Sequence, residues 1–574
     1  LGKSLLSFPR IPRSARPADE RLGKEALVMA FAQRFHQFGA WLVVFGAIMA
    51  SNVAAQEPWR VDSPTAILGA PETSTAEQDR KPDAAPQEPK SAWYDHPVPR
   101  IVHRPAFFPI LPTGPGYYSL WDACTDNYRE APPKSGYPRF ALMPPSFFDA
   151  DFRYVDDPKY NPDFFERLHR IHLGDNWLFA TGGQAWWRHM HEVNARLTGR
   201  TNDYDLWRIR PYADLWYRDS FRIYAEFITA NTLSHDLAPL RIDEDRADMQ
   251  NLFFDVKIGE VDCRPVYIRA GRQELSFGSQ RLISPPDWAN TRRTFQGVRG
   301  MYQGEKFDVD LFWVQPVIPE PTKFNSVDHH VNFYGAWLTY RPRKGTFADL
   351  YYLYLDNSNT ITASGLTTAP TSVHTLGTRY TGDQHQFLWD FEAMLQLGQR
   401  GPSSIRAANL TAGVGYNFAN LPMNPTIWGY YDWASGDPSP NAADYNTFNQ
   451  LFPFGHYYFG WLDLVGRQNI RDVSGHLYLY PTKWITFNLQ YHFLHLDRAR
   501  DALYGVAGTP LRASLNGSAG GRVGQELDLI FNVHVTNRSD IMFGYSRMNV
   551  GDFVSNTGSG QTPELFYLMY NVRW

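Results

Sequence analysis

The sequence predicts an all-β chain closed into an 18-stranded antiparallel up-and-down transmembrane barrel, with short turns at one rim and long loops at the other. Three observations predict it. Apolar and polar residues alternate with period two in segment after segment, as half-buried strands require. The gaps between these segments alternate short and long, which is how an outer-membrane barrel sorts periplasmic turns from outside loops. The last segment sets Phe566, Leu568, Tyr570, Val572 and Trp574 on one face and Tyr567, Asn571 and Arg573 on the other.

Composition narrows the alternatives. The 574 residues are 43% hydrophobic and 20% charged, which does not describe a disordered chain, and 15% aromatic, with 18 Trp, 32 Tyr and 38 Phe. The mean hydropathy is -0.42, and beyond residue 55 no apolar run approaches the ~18 residues of a helical membrane span. Two Cys argue against a disulfide scaffold and a multi-Cys zinc site. With 55 Lys and Arg against 59 Asp and Glu, no global basic field points to nucleic acid.

In chain order, Phe38–Ala50 is an apolar stretch preceded by Arg34, and Val53-Ala54-Ala55 supplies the small residues of a signal-peptidase site. Residues 1–55 therefore read as a signal-peptide region with a mature start at Gln56. Met29 would open a signal peptide of ordinary length, making 1–28 an over-long start. Removing seven basic and three acidic groups with this region takes the formal charge from -4 to -8. Residues 56–166 hold 19 of the 41 Pro and read as an extended, partly disordered periplasmic lead-in. A short strand is expected within Arg167–Gly174, opening a barrel domain at 167–574.

Strands are expected near 177–191, 205–218, 221–231, 251–259, 265–275, 293–303, 306–316, 331–342, 346–357, 372–383, 386–399, 406–418, 424–437, 466–481, 484–498, 524–536, 540–551 and 563–574. Phe221, Ile223, Ala225 and Phe227 against Arg222, Tyr224 and Glu226 show the pattern. The count is even, as closure with both ends at one rim demands. In hydrocarbon every backbone N–H and C=O must be paired, and a sheet does that only by closing. The terminal strand with its aromatic end resembles the signal read by outer-membrane insertion machinery, an expected partner. The compartment is then the outer membrane of a double-membrane, Gram-negative-type bacterium.

Parity turns Arg208, Arg210, Arg222, Lys257, Arg269, Arg299, Arg341, Arg379 and Arg573 inward. It does the same for Asp214, Glu226, Asp255, Asp308, Asp310, Asp349, Asp390, Glu392, Asp432, Asp472, Glu526 and Asp528. Nine cations against twelve anions do not make a uniform anion tube, so selectivity rests on where the cations cluster. The expected bore is a water-filled conduit narrowed by loops folded inward.

Two stretches are specific. One is Gly271-Arg272-Gln273-Glu274-Leu275 through Gly278, Arg281 and Leu282, continuing through Asp287, Trp288, Asn290, Arg292, Arg293, Phe295, Gly297, Val298 and Arg299. The other is Tyr431-Asp432-Trp433-Ala434-Ser435-Gly436-Asp437, followed by Leu451-Phe452-Pro453, His456, Asp463 and Arg467-Gln468-Asn469-Ile470-Arg471-Asp472. Both resemble the alginate-export family of outer-membrane barrels, over roughly residues 165–574; the Pro-rich lead-in is not part of that pattern. The resemblance implies an 18-stranded barrel that lets an acidic polysaccharide out through a cationic constriction, with periplasmic export partners. Arg carries a permanent charge and a planar fork that matches a carboxylate. The expected conducting set is Arg269, Arg272, Arg281, Arg292, Arg293, Arg299, Arg467 and Arg471. For each, a loop-anchoring salt bridge is the alternative role.

Asp432 and Asp437 are weak candidates for a cation, since two carboxylates fall short of a calcium ligand set. No cofactor is expected. Neither a nucleophile motif nor ordered His/Asp metal spacing is present, and His189, His191, His329, His330, His492 and His495 are scattered, so no enzyme is expected. A general or nutrient-uptake porin for small anionic or sugar solutes remains the alternative function. Cys124 and Cys263 both fall on the periplasmic side, where a bridge would clip the lead-in under the barrel.

Overall fold

The computed structural model describes residues 93–95, 111–138, 142–362, 367–439 and 443–574. The signal-peptide region and the first part of the lead-in lie outside the described residues. Eighteen antiparallel strands form one closed sheet: β1 Trp177–Val193, β2 Asn202–Tyr217, β3 Phe221–Leu233, β4 Asp245–Val261, β5 Arg264–Gln273, β6 Phe295–Gln303, β7 Phe307–Ile318, β8 Val331–Arg343 and β9 Thr346–Asn357 make the first half. The second half is β10 Thr371–Gln384, β11 Phe387–Arg400, β12 Ser403–Asn417, β13 Thr426–Ala434, β14 Ile470–Thr482, β15 Ile485–Leu496, β16 Arg522–Thr536, β17 Ser539–Val550 and β18 Glu564–Arg573. Each strand pairs with its neighbours in sequence, and β18 closes on β1 from Gln184↔Arg573 to Val193↔Glu564.

Below that seam the short strand Ile171–Leu173 takes over the edge of β1, pairing Ile171 with Phe179 and Leu173 with Trp177. Trp574 fills the junction. Its carbonyl accepts from Gly183 N at 2.9 Å and its N–H donates to Gly183 O at 3.1 Å. Two glycines make this approach possible: a Cβ on Gly182 would stand 2.5 Å from Trp574 O, and one on Gly183 would stand 2.7 Å from Arg210 O.

The tight turns lie at the rim where β1 begins and β18 ends. Asp262 and Cys263 (φ 50° and 57°) and His385 and Gln386 (φ 48° and 70°) are two-residue hairpins with both residues left-handed, the geometry that matches strand twist. The opposite rim carries 274–294, 435–469 and 497–521. Two connections depart from the expected parity of length: 401–402 at the outer rim is a two-residue turn, and 418–425 at the inner rim is eight residues long.

The pleat sorts side chains as the pattern predicts. Leu311, Leu350, Leu376, Leu395 and Val473 are exposed on the outer face, where lipid lies. Trp177 and Tyr217 pair at 4.9 Å near the turn rim, and Tyr334 and Tyr354 at 5.8 Å near the loop rim, in the manner of interfacial aromatic girdles. All twelve inward carboxylates are buried, with Arg208, Arg210, Arg222, Arg269, Arg299, Arg379 and Arg573.

The loops expected to narrow a water-filled conduit go further and pack into the bore. Leu275, Phe277, Ile283 and Trp288 from one outer loop, with Phe448, Phe454, Tyr458 and Trp461 from another, share a single buried cluster with the wall. Leu142 and Met143 of the lead-in join it. Eighteen strands enclose more space than their own side chains occupy; here inserted chain occupies it. Cys124 and Cys263 are free, exposed thiols, so no bridge clips the lead-in.

Candidate functional site

The site is the plugged lumen, and ion pairs between wall and inserted loops organise it. Arg281, on the 274–294 loop, reaches β11, donating to Asp390 Oδ2 at 2.7 Å and Glu392 Oε2 at 2.8 Å. Ser279 adds a bond to the same Glu392 at 2.8 Å. Arg379 on β10 holds the other oxygen of Asp390 at 3.0 Å. Arg292 grips Glu274 with two bonds of 2.7 Å and also pairs with Asp287. Arg208 on β2 donates to Asp287 Oδ1 at 2.8 Å, and Arg210 pairs with Glu226 at 2.5 Å. Burial would raise the Asp287 carboxyl, but Arg208, Arg292 and Arg210 together hold it well below the usual carboxylate range.

The remaining arginines of the expected set are also engaged. Arg269 makes a two-bond pair with Asp255 at 2.7 and 2.9 Å, and its guanidinium lies 3.7 Å from the Phe253 ring centre. Arg299 donates to Asp310 at 2.8 Å. Arg467 donates to Asp432 at 2.6 Å, and Asp432 also accepts from Thr411. Arg471 pairs with Asp497 at 2.6 Å with its side chain 49% exposed at the outer rim. Arg272 turns at the end of β5 onto Met249 O at 2.8 Å, with Asp248 at 3.5 Å. Arg293 binds no carboxylate among the described residues. It ties two loops together through the carbonyls of Ser284, Phe452 and Pro453 at 3.0, 2.7 and 3.0 Å.

The structure thus gathers Arg269, Arg281, Arg292, Arg299 and Arg467 as buried pairs in the bore and leaves Arg471 at the rim. Asp437 caps Ser439 N at 3.0 Å, and among the described residues no group of three or more His, Cys, Asp or Glu is placed to hold a metal. The 435–469 loop is hung from the wall by its backbone: Leu462 N donates to Glu526 at 2.9 Å and Trp461 N to Asp528 at 3.3 Å.

Sequence reasoning missed two parts of this site. Arg188 on β1 points inward and is buried, donating to Trp288 O at 2.9 Å with its guanidinium 4.0 Å from that ring. The alternation Trp186, Arg188, Met190 was the signal for it. The second part is a finger of the lead-in, Leu142 to Phe152, which enters from the turn rim. Ser146 Oγ donates to Glu274 Oε2 at 2.6 Å, Arg222 Nη2 donates to Phe148 O at 3.0 Å, and Phe147 stacks on Tyr212 at 5.0 Å. Its signal was the pair Phe147-Phe148 standing in a Pro-rich segment.

A closed 18-stranded barrel with a lipid-facing exterior and a polar bore occluded by inserted segments is an outer-membrane channel protein. The chain belongs to the alginate export family, whose model matches residues 178–568. No curated protein matches it. Similar solved structures include OccK11 (OpdR) of Pseudomonas aeruginosa, with 11% identity, a TM-score of 0.44, and 69% of this chain against 96% of that one. OccAB2 of Acinetobacter baumannii gives 9% identity, a TM-score of 0.48, and 69% against 98%. OccK8 (OprE) of Pseudomonas aeruginosa gives 10%, 0.45, and 69% against 98%.

Proposed function

We propose that this barrel passes an anionic polysaccharide of the alginate type through its bore, along an arginine-lined constriction. The observation that carries the reading is that the bore's arginines sit on both wall and plug, and that carboxylates hold nearly all of them. Asp390 and Glu392 on Arg281, Glu274 and Asp287 on Arg292, and Asp432 on Arg467 are each the chemical equivalent of one uronate carboxylate. A passing polymer exchanges one carboxylate partner for another. No bare buried charge is created on the way, and no single site holds the chain tightly enough to stall it. Arg269, Arg281, Arg292, Arg299 and Arg467 act at the constriction, with Arg272, Arg293 and Arg471 toward the outer rim.

Conduction then requires the inserted segments to give way, which sets this barrel apart from a permanently open porin. Planar-bilayer conductance tests the reading. Alginate added to one side blocks the residual or activated current at concentrations where a neutral oligosaccharide of equal length does not; indifference to alginate refutes it.

A further inference from the structure

The finger rests on a particular piece of wall. Tyr212, Tyr224 and Phe253, from β2, β3 and β4, form a ladder of near-parallel rings at 5.8 and 5.1 Å, all buried and facing the bore near the turn rim. Phe147 continues the ladder by stacking on Tyr212, and Phe148 sets its edge against Tyr224 and Phe253 at 5.3 and 5.1 Å. Guanidinium groups flank the rings. Arg210 lies 4.5 Å from the Phe147 ring centre, Arg269 lies 4.7 Å from that of Phe148, and Arg222 holds the Phe148 carbonyl. A cavity of about 130 Å³ adjoins the two rings, lined by Tyr212, Arg222, Asp255 and Arg269 among others. Nη1 of Arg269 is buried there and makes no hydrogen bond among the described residues.

We infer that this ladder is the periplasmic entrance subsite for an acidic sugar residue, and that the Phe147-Phe148 finger occupies it as a built-in competitor. The inference rests on the polysaccharide reading above and names where the polymer is first held. The chemistry of the occupant mirrors that of the ligand. Phe147 presents an apolar face to Tyr212, as the C–H face of a pyranose does. The Phe148 carbonyl takes an Arg222 N–H that a uronate carboxylate oxygen would take more strongly, because that bond becomes charge-assisted. The free Nη1 of Arg269 offers a further donor. Withdrawal of the finger joins the volume of two aromatic rings to the cavity and opens the bore from below.

The test uses the full chain in planar bilayers, with an alginate hexasaccharide added on the turn-rim side and maltohexaose as the neutral control. The double variant Phe147→Ala and Phe148→Ala is expected to show at least tenfold tighter block by the acidic oligomer and no comparable change with the neutral one. Tyr212→Ala in that background is expected to reverse the gain tenfold. If the oligomer still blocks but neither change alters it, the subsite is refuted while the polysaccharide reading stands. If no variant is blocked at all, the polysaccharide reading fails and takes the subsite with it. A second measurement needs no substitution: the hexasaccharide is expected to speed proteolysis within residues 142–152 of the unaltered protein severalfold by displacing the finger. An unchanged cleavage rate alongside measurable block overturns the inference.

Discussion

Ser146 Oγ donates to Glu274 Oε2 at 2.6 Å, joining a segment inserted from one rim to a loop inserted from the other. The bond is buried and links residues 128 positions apart. Glu274 also accepts from Arg292 and from Gln250 Nε2 at 3.0 Å, so it stays ionised when Ser146 is lost. Ser146→Ala is expected to weaken docking of the finger by about 1–2 kcal/mol while the barrel remains intact. Faster protease cleavage in the lead-in, with an unchanged heat-modifiable band on gels, would show it.

Arg281→Gln is expected to be more severe. It leaves Asp390 to Arg379 alone and takes the cation from Glu392, which keeps neutral donors in Ser279 and Tyr351. Breaking a buried pair of this kind costs about 3–5 kcal/mol. Hydrogen exchange should rise across 274–294 while the amides of β10 and β11 stay protected; uniform protection would refute the anchoring role.

Leu395 is 61% exposed at the centre of β11 on the lipid face. Leu395→Arg is expected to cost roughly 2–4 kcal/mol at mid-depth. Denaturant titration in phospholipid vesicles measures this, and Glu392→Arg, three residues earlier on the inner face, should instead disturb the Arg281 anchor.

His169 predicts a pH effect on the lead-in. Its Nδ1 lies 2.7 Å from Tyr212 Oη and its ring stacks on Phe152 at 3.9 Å. Burial pushes it down to about 4; Asp163 and Arg538 add smaller, opposing effects. A histidine depressed in the folded state contributes stability that is full above its unfolded pKa of about 6.5 and is lost as pH falls from there toward 4. The loss is on the order of 3 kcal/mol at most. Lead-in protection from protease should fall over that window, and His169→Gln should flatten the profile.

Cys124 and Cys263 are exposed thiols. Both are expected to react with a membrane-impermeant thiol reagent in the folded protein, and reduction is expected to leave gel mobility unchanged. A mobility shift on reduction would refute this.

The barrel was legible because its cause is local: each strand alternates on its own, and all eighteen are found where the alternation places them. Boundaries slipped where polar residues prolong a strand past the lipid zone. β4 begins at Asp245 rather than near 251 because Asp-Arg-Ala-Asp-Met-Gln carries no apolar stripe, yet the segment still pairs with β3. β13 stops at Ala434 because Gly436 and Asp437 turn onto Asp497 and Asp501, with N–H bonds of 3.1 and 2.8 Å. The contents of the bore were not legible, for the opposite reason. Ser279 and Glu392 are 113 residues apart, and Arg293 and Pro453 are 160 apart. Inward-folded loops were expected, but no local pattern tells where they anchor or how much of the bore they fill, because their anchors lie on strands remote in sequence. Parity placed Arg269 and Arg299 facing the bore; it had no means of showing that Asp255 and Asp310 would already hold them.

The seam between β1 and β18 has a consequence for how the molecule is assembled. It joins residues as distant as Gln184 and Asn571, so the ring is completed only after the whole of the strand-forming chain has entered the bilayer. The 435–469 loop runs between two strands already within the ring and travels with them, whereas the lead-in precedes the first strand and is free at that stage. Among the described residues the finger is therefore the inserted segment tied to the wall through the chain at one end alone, whereas each inserted outer loop is tied at both.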